Sequence, residues 1–331
     1  MRNGAWCAAG LGLIAVAALS GCSRIQVGLG LRVNLAKLPV TTIEASLPNG
    51  SAIAPGETSP LVVTLTQADG KELVTAGKGK GKVQWKDLAV VTTVVSVNKK
   101  GVLTLPHDPR VSEGKTGHVT VTVPSHPGMV AELDVPLRYD YPFVAAYAGA
   151  SGSSGSSGMN GTDGMSGSPG SMDPNNPSPG GDGTAGGNGS DGGDGGDGGP
   201  GPAVQVMVAL KPGTQPMLEF GVMAAGHKER FYLVNPVGGS LTVKSDGGAG
   251  GSGGKGGSGG RGGSGGSGTP SGNSGSDGSS GRDGSDGRAG KGGSINVTYD
   301  PAVAPYLAEI KVSNPGGPKP VFTQAAVGPL W

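Results

Sequence analysis

The chain has 331 residues, of which 69 are glycine and only 4% are aromatic, and its formal net charge is +1. With 25 basic and 24 acidic side chains, it has no overall field that would attract a polyanion. This balance argues against nucleic acid as a partner.

The first 21 residues have the pattern of a processing signal. Arg2 supplies a positive charge, residues 5–19 are mostly apolar, and the stretch closes with Leu19-Ser20-Gly21-Cys22. The apolar part is shorter than the ~20 residues typical of a membrane-spanning helix. The closing tetrapeptide resembles a bacterial lipobox, although a plain secretory signal is the alternative.

The lipobox resemblance implies cleavage before Cys22, a diacylglycerol on its sulfur and an acyl chain such as palmitate on its new amine. Ser23 follows the cysteine, which by the same resemblance implies an outer-membrane address, on the periplasmic or the extracellular face. Cys7 would leave with the signal and Cys22 would carry lipid. We therefore expect no disulfide in the mature chain.

Residues 22–39 are predicted to form the lipid anchor and a tether or added strand, because apolar residues alternate there. Residues 40–148 contain seven short alternating runs separated by turn sequences, which predicts an antiparallel β sandwich. The runs are TTIEASL, LVVTLTQ, KVQWKDL, VVTTVVSV, GVLTL, HVTVTV and ELDVPLRY.

The middle of this region resembles a bacterial immunoglobulin-like domain. The resemblance implies a fold and no particular function, and it departs from the pattern by DPRVSE after Leu105. It depends on Val83, Trp85, Val95, Val97, Gly101, Leu103, Gly117, Val119, Val121 and Val123.

Residues 202–246 and 294–331 are predicted to form a second β sandwich of six strands, at 203–210, 217–224, 229–234, 240–244, 294–299 and 306–312. One glycine-rich insertion, 149–201, precedes this sandwich, and a second, 247–293, divides it. Each insertion contains two runs with glycine at every third residue: 149–170 and 180–201, then 247–268 and 272–293. We call these runs glycine segments 1 to 4. Their equal lengths in pairs predict two hairpins.

A period of three is that of the polyproline-II type of helix, which rises ~3.1 Å per residue. Its bare glycine edge lets another backbone approach closely. We favour a bundle of four such helices within one chain, each roughly 68 Å long. A collagen-like trimer is the alternative, but these runs hold little proline. A flexible linker is the third interpretation.

The glycine pattern resembles the polyglycine-II bundles of a springtail antifreeze protein and of T-even phage adhesins. Cationic side chains on the segments argue against ice binding. In the adhesins the loops at the bundle tips form the recognition surface. By that resemblance the candidate binding residues are Asp173, Asn175 and Asn176 in the first tip and Thr269 and Ser271 in the second.

Charges on the segments are also patterned. We hypothesise that Asp191, Asp194 and Asp197 pair with Arg288 and Lys291 and so fix the order of the segments; a solvated surface is the alternative. Calcium binding by this aspartate row is not favoured, because the period is three and hard cations need converging oxygens.

Signals for catalysis are weak. Residues 250–254 match G-x-S-x-G only through composition, residues 114–116 lack the glycine that begins a phosphate loop, and four histidines are scattered singly. We predict no catalytic residue, no metal and no cofactor. Four lysines crowd one hairpin loop and could touch anionic headgroups or glycans, or simply be solvated: Lys71, Lys78, Lys80 and Lys82.

The sequence therefore predicts an all-β, lipid-anchored envelope protein that is not an enzyme. Its bundle would be a rigid spacer presenting tip loops to a surface ligand, glycan or protein. The alternatives are a coat or fibre that self-associates through glycine edges, a collagen-like trimer, and a secreted hydrolase.

Overall fold

The computed structural model describes residues 31–331 except Pro212 and Thr214. The predicted signal, Cys22 and most of the predicted tether lie outside the described residues. Strands hold 31% of the residues and helices 7%, so the all-β prediction is confirmed. The chain divides into a first unit, which runs to Tyr141 and includes Phe231–Gly239 and Trp331, and a second unit, which comprises Pro142–Arg230 and Ser240–Leu330.

The strands in chain order are β1 (Val40–Ser46), β2 (Thr58–Pro60), β3 (Val62–Gln67), β4 (Glu72–Val74), β5 (Ala89–Thr93), β6 (Ser96–Val97), β7 (Val102–Thr104), β8 (Gly117–Thr122), β9 (Val130–Val135), β10 (Pro142–Ala148), β11 (Val204–Lys211), β12 (Met217–Ala224), β13 (Arg230–Val234), β14 (Ser240–Asp246), β15 (Ile295–Tyr299), β16 (Ile310–Ser313) and β17 (Val321–Gln324). One short α-helix, α1, spans Pro109–Ser112, and 3-10 turns occupy Leu35–Lys37, Gly77–Gly79, Trp85–Asp87 and Pro301–Glu309.

The first unit contains three small antiparallel sheets, with strand orders β1-β3-β4, β2-β7-β6 and β5-β8-β9. Alternate residues of β3 and β8 are buried, as expected for strands with one face on a core. The fully buried side chains include Ile53, Leu65 and Leu103. The apolar alternation in the sequence thus forms a sandwich core.

Three details of the first unit differ from the sequence prediction. The run KVQWKDL contains a 3-10 turn instead of a strand, because Val83 and Leu88 are both buried in one core and strict alternation would place them on opposite faces. The run VVTTVVSV divides into β5 and β6 at Val94, whose φ is 66°. The DPRVSE stretch forms α1, capped by the Asp108 side chain with Pro109 in its first turn.

The second unit contains one three-stranded sheet, β10-β14-β16, whose strands are parallel. In the other sheet β11 pairs antiparallel with β12 and parallel with β15, which pairs parallel with β17. Placing residues 142–148 in the first domain was wrong: β10 pairs along its whole length with β14, about one hundred residues later. The predicted strand at 306–312 is mostly a 3-10 turn, and β17 was not predicted.

The four glycine segments lie side by side and are joined by backbone hydrogen bonds at every third residue. Segments 1 and 2 run antiparallel, as do segments 3 and 4: Gly193 donates to the carbonyl of Ser156, and Gly284 to that of Gly254, each at 2.8 Å. Segments 2 and 3 are also antiparallel neighbours. All of these bonds form within one chain; the helical form of each segment stays a prediction.

Segments 1 and 3 run parallel, and so do segments 2 and 4. Gly155 donates to the carbonyl of Ser252 at 2.8 Å, and Gly192 to that of Arg282 at 2.8 Å. The parallel strands β10 and β14 lead directly into segments 1 and 3, while segments 2 and 4 lead into the parallel strands β11 and β15. The sheets therefore set the relative register of the segments.

Segments 2 and 3 are the inner pair, since each bonds to all three others, whereas segments 1 and 4 bond only to the inner pair within the described residues. The number of neighbours of each segment explains how many of its edges consist of glycine. Segment 3 has glycine on two of its three edges because it meets a neighbour on both. The outer segments have one glycine edge, and it faces inward: a Cβ at Gly152 would meet atoms of Gly196 and Gly251.

Glycine is required at these positions because a side chain would collide with a neighbouring backbone. Its conformational freedom is not the reason, since no glycine in the segments has a positive φ. A Cβ at Gly198 would overlap the carbonyl oxygen of Gly248, whereas a Cβ at the adjacent Gly199 would lie 3.4 Å from the carbonyl oxygen of Ala150, an ordinary contact. The edge that holds Gly199 already accommodates Thr184 and Ser190.

We predict that Gly198→Ala lowers the free energy of unfolding by about 1–3 kcal/mol, because backbone must shift to admit the methyl group. Gly199→Ala is the matched control and should leave stability unchanged or raise it by up to about 1 kcal/mol, through the lower entropy of the unfolded chain. Thermal unfolding of both variants checks this. Equal destabilisation by the two would contradict the packing described here.

Candidate functional site

The candidate site is the end of the bundle where the two predicted tip loops lie. The first tip, residues 171–179, connects segments 1 and 2, and the second, residues 269–271, connects segments 3 and 4. Thr269 donates its N–H to the carbonyl of Ser178 at 3.0 Å, and Gly180 donates to that of Pro270 at 3.0 Å. The first bond joins the two loops directly, and the second joins the start of segment 2 to the second loop.

The first tip is closed by its own polar groups. Ser178 donates its N–H to the carbonyl of Ser171 at 3.0 Å, and the N–H of Ser171 donates to the Ser178 hydroxyl at 2.6 Å. At the apex Asp173 accepts from the N–H of Asn175 through Oδ1 at 2.9 Å and from the N–H of Asn176 through its carbonyl at 3.0 Å. An aspartate side chain bound to the backbone two residues ahead is a common turn-forming arrangement.

All five candidate tip residues are exposed. Asp173, Asn175 and Asn176 lie together on the first loop. Thr269 and Ser271 flank Pro270 on the second, where the Ser271 hydroxyl lies 3.4 Å from the carbonyl of Gly268. The arrangement presents a carboxylate, two amides and two hydroxyls, which can donate and accept hydrogen bonds toward a polar ligand.

Along the sides of the bundle, carboxylates and amides accept hydrogen bonds from the backbone of a neighbouring segment. Asp191, Asp194 and Asp197 of segment 2 accept from the N–H groups of segment 4, at 2.7, 2.7 and 2.6 Å. The same contact recurs between segments 4 and 3, where Asp283 and Asp286 accept from glycine N–H groups at 2.8 Å. Asp182, Asn188, Asn160, Asp163 and Asp277 do likewise.

The hypothesis that Asp191, Asp194 and Asp197 pair with cationic side chains was therefore wrong in its partner. Asp197 does lie next to Arg288, but its Oδ1 accepts from the Arg288 backbone N–H, and no ion pair joins these carboxylates to a cation in the part of the chain that the structure describes. Among the described residues, the backbone N–H of Arg288 has no acceptor other than Asp197, and the carboxylate satisfies it without ordering a long guanidinium.

The spacing of these aspartates does not suit a calcium ion. Aspartates three residues apart in an extended helix are separated by roughly 9 Å, so their oxygens do not converge on one ion. Within the described residues, no cluster of three or more His, Cys, Asp or Glu side chains could hold a metal ion.

The histidines have separate packing roles. His118 Nδ1 lies 2.8 Å from Asp134, and His126 Nε2 lies 2.8 Å from the carbonyl of Leu38. The His107 ring packs edge-on against Tyr232 and the His227 ring against Tyr147, with centroids 5.0 and 5.1 Å apart. The serine motif at 250–254 lies near the start of segment 3, where its glycines contact neighbouring backbones.

In comparisons with known proteins, no family model and no curated protein matches the chain. No helix among residues 31–331 is both long and apolar enough to cross a membrane.

Substitution of these aspartates can show whether the bundle is stabilised by the carboxylate oxygen as a hydrogen-bond acceptor or by its negative charge. We predict that Asp191→Ala/Asp194→Ala/Asp197→Ala loses about 0.5–1.5 kcal/mol of stability for each bond removed. The matched triple change to Asn keeps an amide oxygen as acceptor and should retain most of that stability. Thermal unfolding at low and high salt checks it. If the Asn triple were as unstable as the Ala triple, charge would be the stabilising property.

Proposed function

We propose that this chain is a non-enzymatic, lipid-anchored protein of the bacterial outer membrane whose glycine bundle is a rigid spacer that presents its tip loops for binding or adhesion. The observation that carries the proposal is that the second tip is bonded to the first hairpin: Thr269 donates to Ser178 of the first tip, and Gly180 of segment 2 donates to Pro270. Because the loops are tied to each other and to the segments, little further entropy is lost when they dock on a ligand.

The direction of the glycine edges supports presentation over assembly into a coat or fibre. Lateral association through glycine would need a bare edge on the outside. The glycine edges of segments 1 and 4 face the inner pair, and their outer positions carry side chains such as Met159, Asn160 and Arg282. Contacts within one chain satisfy most of the glycine N–H groups of the segments, which favours the intrachain bundle over a collagen-like trimer.

The tips fit a polar ligand, which can be a glycan or a protein surface, because their exposed groups are a carboxylate, amides and hydroxyls. Proline residues in both loops restrict the backbone around these groups, which lowers the entropy lost on binding. In the order of the chain, the first unit follows Cys22 and precedes the glycine segments.

Binding through the tips is tested with the triple variant Asp173→Ala/Asn175→Ala/Asn176→Ala of the lipid-free chain on arrays of glycans and cell-surface proteins. We expect a retained target to lose at least about tenfold in affinity, as for central contact residues. The matched control is Ser151→Ala/Ser157→Ala/Ser280→Ala, on exposed positions along the segments. Unchanged binding by the tip triple would contradict the proposal, and concentration-dependent self-association in sedimentation would favour the coat or fibre.

The lipid anchor is tested separately. Cells that express the chain and are fed labelled palmitate should label it, and Cys22→Ala should abolish the label and leave the chain out of the membrane fraction. Cys7→Ala is the control and should retain both properties. A Cys22→Ala chain that still fractionated with the outer membrane would contradict lipid anchoring.

A further inference from the structure

The first unit carries a groove that the proposed function does not use. It has a volume of about 340 Å³. Its apolar part is formed by Ala76, Trp85 and Val102. The rest of the lining is Gly77 and three lysines, Lys78, Lys99 and Lys100. A mostly apolar concavity with a few charged groups is the usual form of a small-ligand site.

The indole ring of Trp85 is held in a fixed position. Its Nε1–H donates to the carbonyl of Ala76 at 3.1 Å. Gly101 adopts a φ of +71°, and a Cβ there would overlap the six-membered part of the ring. The ring is therefore wedged between the loop before Gly77 and the turn at Gly101, and it is half-buried with the groove beside it.

The lysines come from two short turns. Lys99 and Lys100 belong to the β6–β7 turn, which Asn98 organises by accepting from the N–H groups of Lys100 and Val102 at 2.8 and 3.1 Å. Lys78 lies in the 3-10 turn Gly77–Gly79. All three side chains are exposed, and none forms an ion pair within the described residues. Their charges are free to meet an anion.

A second depression, of about 500 Å³, adjoins the first and shares Lys78 and Val102 with it. Its lining includes Asn49 and Thr58, whose side chains are exposed and form no hydrogen bond within the described residues. The two depressions are therefore neighbours that share one wall, and together we call them the groove. An aromatic ring lines one of them, amide and hydroxyl groups line the other, and Lys78 belongs to both.

We propose that this groove binds an anionic saccharide, carboxylated or phosphorylated. A pyranose ring has an apolar face that packs on an aromatic ring, hydroxyls that pair with groups such as those of Asn49 and Thr58, and an acidic substituent that the lysine ammonium groups attract. A ligand that was merely acidic would leave the Trp85 end unused, and a neutral one would leave three cations unpaired. The site is separate from the tip loops and does not depend on them.

The test is titration calorimetry of the whole chain with two acidic saccharides, trigalacturonic acid and glucose 6-phosphate. Two comparison ligands are titrated in the same way: maltotriose, a neutral sugar, and triglutamate, an acid without a sugar ring. At least one acidic saccharide should bind more tightly than both comparison ligands. Lys78→Gln/Lys99→Gln/Lys100→Gln should weaken that binding by about tenfold or more. The control with the same charge change, Lys37→Gln/Lys228→Gln/Lys319→Gln on exposed lysines outside the groove, should weaken it by less than about twofold.

The Trp85 indole N–H resonance, assigned with Trp85→Phe, should also shift when the saccharide binds, which a purely electrostatic attraction to surface lysines would not produce. Absence of binding by both acidic saccharides would overturn the proposal. So would equal affinity for triglutamate, or equal weakening by the two lysine triples.

Discussion

The structure of the second unit depends on one interaction, the backbone hydrogen bond between extended segments that have no internal hydrogen bonds of their own. Such a segment must find partners for every buried N–H and C=O group outside itself. Only glycine lets another backbone come close enough, as the overlap at Gly198 shows. The period of three, the number of glycine edges and the position of each segment in the bundle all follow from this requirement.

The bundle needs two further components to hold its register. The parallel strands that continue from the segments, β10 with β14 and β11 with β15, fix the relative height of the segments at one end. Along the sides, Asp and Asn side chains satisfy N–H groups that face no neighbouring carbonyl, such as that of Arg282. At the far end the two tips are bonded to each other. Each component limits the sliding of one segment past another.

Much of this could be predicted from the sequence, because the decisive signals are local or periodic. Alternating apolar residues predicted the all-β class, and glycine in phase predicted extended segments side by side. The parallel pairing of β10 with β14 could not be predicted, since it joins residues about one hundred positions apart. Nor could the partner of Asp197 be predicted. The two predicted hairpins place Asp197 and Arg288 near the same end of the bundle, but they do not determine whether the carboxylate binds the guanidinium or the backbone N–H.

The most direct test of the bundle is residue-by-residue amide hydrogen exchange on the monomeric chain. In inner segment 2, two of every three N–H groups bond to a neighbouring segment, while those of Asp191, Asp194 and Asp197 have no partner within the described residues. We expect two slowly exchanging N–H groups followed by one that exchanges fast, repeated along segment 2. In outer segment 1 we expect fast exchange at most residues and slow exchange at the glycine of every third position. Uniformly fast exchange in both segments, or protection that appears only in a trimer, would contradict the intrachain bundle.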